Sequence, residues 1–143
     1  MTNTDAIKRN SWLISQYFNE VWNKGKVELL DELIAPAYLN HSSSIAGAPP
    51  GPEGLQPIVI AMRKAFPDLC YEIKDLIITP DRIVARVVMT GTHQGDFFGL
   101  APTGQKIKVD QVNIEYVTGG KITEHWRITD ELSLMKQLEF VKI

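Results

Sequence analysis

An α+β fold, in which a curved antiparallel sheet wraps around N-terminal helices, is predicted by three features of this 143-residue sequence. Apolar residues recur at helical spacing as far as Phe66, interrupted by one loop rich in Ser, Gly and Pro. Beyond Pro67 the pattern changes to the alternation of strands, punctuated by Pro80-Asp81, by Ala101-Pro102-Thr103-Gly104 and by Gly119-Gly120. Helices first and long strands afterwards leave each kind of element one apolar face to bury, so the sheet has to curl around the helices. The length suits a single domain, residues 1–143, with one core.

The elements follow in order. Ile7, Trp12, Ile14, Phe18, Val21 and Trp22 recur at three- and four-residue intervals, which predicts an amphipathic helix from Thr4 to Lys24. Thr4 or Asn3 caps its start, and Gly25 closes its end in the left-handed conformation. A second short helix spans Val27 to Ile34 and stops before Pro36. Tyr38-Leu39-Asn40-His41 reads as a short extended piece, followed by a loop from Ser42 to Pro52 that is either a cover over a pocket or simply unstructured. A third helix runs from Pro52 or Glu53 to Phe66, with Pro57 pointing to a later start. Strands are expected over Cys70–Thr79, Ile83–His93, Gln105–Val117 and Ile122–Thr129, and a last helix over Glu131–Leu138.

Composition narrows the function. Fifteen basic and 17 acidic residues, net charge −2, are spread without a basic run, which speaks against nucleic acid as a partner. The apolar run around Ile83 to Met89 is far shorter than the roughly 20 residues that span a bilayer. Met1 to Asn10 has no apolar segment of the export type, so a soluble cytoplasmic protein is expected. Cys70 stands alone, without a partner for a disulfide or a thiolate cluster, and is expected to be buried. The three histidines show no paired spacing, and neither a metal nor an organic cofactor is expected.

The last hairpin carries the candidate site. A three-residue loop with Gly120 in the bulge position pairs Val117 with Thr123, Glu115 with His125, Asn113 with Arg127 and Gln111 with Thr129. The opposite face then holds Val112, Ile114, Tyr116, Ile122, Trp126 and Ile128, with Glu124 as the exception. Two readings follow: the polar row meets water while the apolar row packs on helices, or the polar row lines an interior pocket while a second subunit covers the apolar row. A two-residue turn would shift the register by one and bring unlike faces together.

The segment Gly91-Thr92-His93-Gln94-Gly95-Asp96-Phe97-Phe98-Gly99-Leu100-Ala101-Pro102-Thr103-Gly104 resembles the glycine-proline signature of SnoaL-like polyketide cyclases. Gly119-Gly120-Lys121-Ile122-Thr123-Glu124-His125-Trp126, then Asp130 and Leu134 to Leu138, resemble the family's last strand and closing helix. Tyr38-Leu39-Asn40, Gly51-Pro52-Glu53-Gly54 and Phe66-Pro67-Asp68-Leu69 match its first half. The resemblance implies a cone-shaped α+β barrel of the nuclear transport factor superfamily, a homodimer through the outer sheet face, and a pocket for a small, largely apolar molecule. It also implies cofactor-independent chemistry on a carbonyl compound, of aldol-type cyclase, lyase or isomerase kind. A base there removes a proton beside a carbonyl and polar groups hold the enolate.

Asn40, Gln111, Asn113 and His125 fall on polar pocket positions of the family, and Trp12 is assigned to the pocket wall as a substrate contact. Two positions depart: Arg127 stands where the cyclases carry a catalytic aspartate, and Asn113 where they carry a histidine. Arginine is no base at ordinary pH. Three accounts of it stay open. Arg127 binds a substrate carboxylate or enolate while Glu115 or His125 takes the proton; it pairs with Glu115 in a pocket that only binds; or the register differs and Asp130 is the working carboxylate. A hydrolase of the limonene epoxide hydrolase kind, with its Asp-Arg-Asp set, is a further alternative; against it, this sequence has no aspartate two residues from Arg127 on the same pocket face. His41 reads as a proton carrier or a solvated loop residue, and His93 as a support for the signature turn.

Overall fold

In the computed structural model, which describes residues 2–143, the first helix is capped one position earlier than Asn3. The Thr2 hydroxyl accepts from Asp5 N at 3.1 Å, and the Asp5 carboxylate accepts from Thr2 N at 3.3 Å. This reciprocal cap satisfies two backbone donors at once. The helix α1, Asn3–Ser15, continues as a π-helical stretch, Gln16–Trp22. The wider turn brings the adjacent pairs Tyr17-Phe18 and Val21-Trp22 to the buried side together. As predicted, Gly25 ends this run at a φ of 75°, its N–H bonded to Val21 O at 2.8 Å. A 3-10 turn, Val27–Leu29, leads into the short helix α2, Leu30–Leu33.

The sheet departs from the all-antiparallel expectation. The strand β1, Ile34–Asn40, pairs in parallel with the last strand; Ile34 is already extended, and Ala35, directly before Pro36, is steered away from the helical region. Pro36 is tolerated because β1 is an edge strand whose pairing breaks between Ile34 and Leu39. Helix α3, Pro52–Ala65, begins at its proline despite Pro57. Strands β2, Cys70–Ile78, β3, Arg82–Thr92, β4, Lys106–Thr118, and β5, Lys121–Thr129, form the antiparallel meander, and α4, Glu131–Gln137, follows. The order β1-β5-β4-β3-β2 gives a curved mixed sheet that stays open at both edges.

The core lies between the concave face and the helices, with Leu13, Phe18, Leu55, Ile58 and Ile83 fully enclosed. Polar side chains tie the layers. Asn10 Nδ2 donates to Thr79 O at 2.9 Å, Arg9 Nη2 to Gly120 O at 3.2 Å, and Asn23 exchanges two hydrogen bonds with the backbone of Tyr71. Cys70, expected to be buried, is exposed, because it opens β2 on the side opposite the inward-facing Tyr71. No helix among the described residues is long and apolar enough to cross a membrane.

Candidate functional site

The hairpin reaches the expected register by a different route. Gly119 and Gly120 both have positive φ, 59° and 77°, and close a two-residue turn with Thr118 opposite Lys121. Val117 therefore faces Ile122, not Thr123. One step further Tyr116 faces Glu124, so Thr123 is an extra residue, a bulge that moves the register by one. Beyond it the pairs Glu115–His125, Asn113–Arg127 and Gln111–Thr129 stand as predicted. The two-residue turn also sets Ile122 opposite inward-facing Val117, where it is buried, and so removes it from the outer apolar row.

The polar row faces the interior. Gln111, Asn113, Glu115 and His125 are buried, Glu115 completely, whereas Val112 and Ile114 of the same strand are over a third exposed. His125 Nδ1 lies 2.6 Å from Glu115 Oε1, while Glu115 Oε2 and His125 Nε2 are buried without a partner. Ile83 of β3 flanks Glu115 on its other side. Asn113 Nδ2 donates to Gln111 Oε1 at 3.0 Å and Gln111 Nε2 to Thr129 Oγ1 at 3.0 Å, a row of amides leading outward. Tyr17, Tyr38 and Tyr71 close the chamber. Burial holds Tyr17 and Tyr38 well above the usual phenol range, with the Glu115 carboxylate adding to the effect, and pushes Tyr71 up to about 12.

Outward from this chamber opens a cavity of about 540 Å³, its mouth included, lined by Trp22, Met62, Tyr71, Met89, Phe97 and Leu134 on the apolar side and by Gln111, Thr129, Ser44 and Arg127 on the polar side. Arg127 fastens the loop after β1 to the mouth: its backbone N–H donates to Ser42 Oγ at 2.8 Å, and Nη2 donates to Ser42 O at 2.8 Å and to Ser44 Oγ at 3.2 Å. Glu115 and His125 do not line the cavity wall. They lie one residue pair deeper than Arg127, about 7 Å along the strand.

Two accounts of Arg127 fall. It makes no ion pair with Glu115, whose partner is His125. Asp130 is a helix cap, its side chain accepting from Ser133 N at 3.1 Å. Trp12, assigned to the pocket, is 38% exposed on α1 with Arg9 over its ring at 4.3 Å; Trp22, carried inward by the π-helical stretch, is the tryptophan in the wall. Asn40 pairs with His125 in the sheet and shapes the loop by accepting from Ser42 N at 2.9 Å, leaving Nδ2 buried and unpartnered. His41 stacks on Trp126 at 4.1 Å and contacts Glu124 at 3.0 Å on the outer face, away from the chamber. His93 does brace the signature turn, its Nδ1 accepting from Thr103 N at 3.2 Å. Sequence reasoning missed Tyr71, Ser42 and Ser44; inward alternation on β2 was the one available signal, for Tyr71. Among the described residues no three His, Cys, Asp or Glu side chains converge as metal ligands do.

Fold and site together define an α+β protein that buries an acid-imidazole pair behind an amphipathic cavity on a curved sheet. Residues 13–138 match the SnoaL-like polyketide cyclase family, and the chain belongs to it. It is 29% identical over 120 residues to aklanonic acid methyl ester cyclase AcmA of Streptomyces galilaeus, covering 83% of both chains. It is 28% identical over 119 residues to nogalonic acid methyl ester cyclase of Streptomyces nogalater, covering 82% of this chain and 88% of that one. Among solved structures, IdmH from Streptomyces antibioticus superposes with a TM-score of 0.75 at 34% identity, over 90% of this chain and 97% of its own.

Proposed function

We propose that this protein is a cofactor-independent cyclase that closes a ring in a polyketide-like carbonyl compound by an intramolecular aldol step. The observation that carries the reading is the buried Glu115–His125 pair with an unpartnered Nε2. Glu115 accepts the Nδ1 proton and so fixes the tautomer in which Nε2 carries a lone pair, as a carboxylate does for the histidine of a catalytic triad. His125 Nε2 then takes the proton from the carbon beside a carbonyl. The enolate is held by the amides of Asn113 and Gln111 and by the positive charge of Arg127, attacks a second carbonyl in the same molecule, and the new alkoxide recovers the proton from Nε2. Arg127 in place of an aspartate moves the base from that position to the pair one step deeper.

The molecule works, on this reading, as a cytoplasmic homodimer. Val112, Ile114, Tyr116, Trp126 and Ile128 form an outward apolar row, with Ile128 77% exposed, and such a patch on a soluble chain favours a partner surface.

A non-catalytic ligand carrier is favoured by one observation, the absence of Glu115 and His125 from the cavity wall. The test is turnover of aklanonic acid methyl ester and its free acid by wild type, Glu115→Gln and His125→Ala. The cyclase reading expects losses of about a hundred- to ten-thousand-fold in kcat for both variants. Unchanged kcat refutes the assignment of the base, and ligand-raised melting temperature with no turnover in wild type supports the carrier.

A further inference from the structure

The aldol chemistry uses the charge of Arg127 but gives no role to its unpartnered donors. Among the described residues Arg127 is the only cation in the cavity lining, and it is half-buried. Of its donors only Nη2 is used by the protein, on Ser42 O and Ser44 Oγ; among the described residues Nε and Nη1 meet no acceptor. No carboxylate among the described residues lies within ion-pair distance of it. Its neighbours across the sheet are neutral, Asn113 and then Ala85. The other charged residue in the lining, Glu131, is exposed in the first turn of α4, where water screens it.

We propose that the cavity takes an apolar carboxylic acid in its free, ionised form, with a carboxylate oxygen accepting from the unused Nη1 of Arg127. This rests on the reading of the cavity as the ligand site, and not on any role for Glu115 or His125. Both two-point edges of the guanidinium include Nη2, which the loop occupies, so the carboxylate meets a single charge-assisted N–H. The guanidinium is already oriented, because the loop bonds fix Nη2 and the strand fixes the backbone, so little freedom is lost on binding. A methyl ester offers one neutral carbonyl acceptor in the same place, and its bond is the weaker by about half. The charge also acts inward: it eases the ionisation of Tyr17, Tyr38 and Tyr71 against the larger effect of their burial. The acid group at Arg127 leaves the apolar body of the ligand against Trp22, Tyr71 and Met89.

The experiment compares binding of anthracene carboxylate and its methyl ester to the full chain by calorimetry. Wild type is expected to favour the acid by roughly ten-fold, the difference between a charge-assisted and a neutral contact. Arg127→Gln loses the preference, with affinity for the ester falling less than affinity for the acid, and Arg127→Lys, which keeps the charge without the loop bonds, retains part of it. Equal or tighter binding of the ester by wild type overturns the proposal, as does an undiminished preference in a folded Arg127→Gln. Binding of neither compound overturns it together with the ligand cavity. Glu115→Gln separates the two ideas: the preference for the acid persists in that variant whether or not turnover is lost.

Discussion

Raising the pH probes the chamber, because Tyr17, Tyr38 and Tyr71 are almost wholly buried there, with relative exposures of 2%, 2% and 4%. Their phenols ionise near 10.0 when exposed, and burial carries Tyr71 to about 12 and the other two further. Above the unfolded value the folded chain holds more protons than the unfolded one, so stability falls as pH rises. The contribution is fully present below about pH 10 and is lost as pH climbs through the folded values. Tyr71 alone accounts for about 2.7 kcal/mol when its loss is complete, from a gap of about two units. While all three remain protonated in the fold, the slope is about 4 kcal/mol per pH unit, against a typical net stability of about 5–15 kcal/mol. The chain therefore unfolds cooperatively above about pH 11, at a pH that rises with its net stability, and the three phenolates appear together. Unfolding free energies from denaturant titrations between about pH 9 and 11, with phenolate absorbance followed in the same samples, measure both slope and coincidence. Tyr38→Phe removes a hydroxyl that has no partner. It is expected to cut the slope by a third and to add about 1 kcal/mol at neutral pH. Gradual titration of these tyrosines in a chain that keeps its native dichroism would refute the closed chamber.

Sedimentation of the wild type is expected to show a dimer, and the double substitution Ile114→Glu, Ile128→Glu a folded monomer; a monomeric wild type refutes the outer-face interface. Gly54→Ala places a methyl against the carbonyl of Pro49. It is expected to lose about 1–3 kcal/mol by thermal melting in spite of alanine's better helix propensity, and a gain would show that the loop before α3 does not pack on that helix.

The elements legible in the sequence were those whose periodicity is local. All four strands of the meander and the helices lie within a few residues of the predicted spans, and the polar face of β4 was predicted together with its pairs except at Val117, which faces Ile122 instead of Thr123. What escaped depends on contacts distant in the chain. β1 becomes a strand by pairing with β5, whose residues lie more than eighty positions away. The π-helical stretch has the composition of an ordinary amphipathic helix, so nothing local distinguishes Trp12 on the surface from Trp22 in the cavity wall. The loop held by Arg127 is of the same kind: Ser42 and Ser44 are unremarkable until the fold brings the guanidinium to them.

One residue decides which chemistry the chamber contains. With the turn at Gly119-Gly120 and no bulge, the pairs would continue as Glu115 with Glu124, Asn113 with Trp126 and Gln111 with Ile128. Two carboxylates would then face each other in a dry interior, an arrangement in which both cannot stay ionised, and a polar row would oppose an apolar one. The extra residue, Thr123, places His125 where Glu124 would have stood and sends Glu124 to the outer face beside His41. Its own hydroxyl donates to Tyr116 O at 3.2 Å, so the bulge does not leave that carbonyl without a partner. The acid-imidazole pair is thus a consequence of strand register, and the composition of β5 alone, which contains both Glu124 and His125, would not have placed it inside.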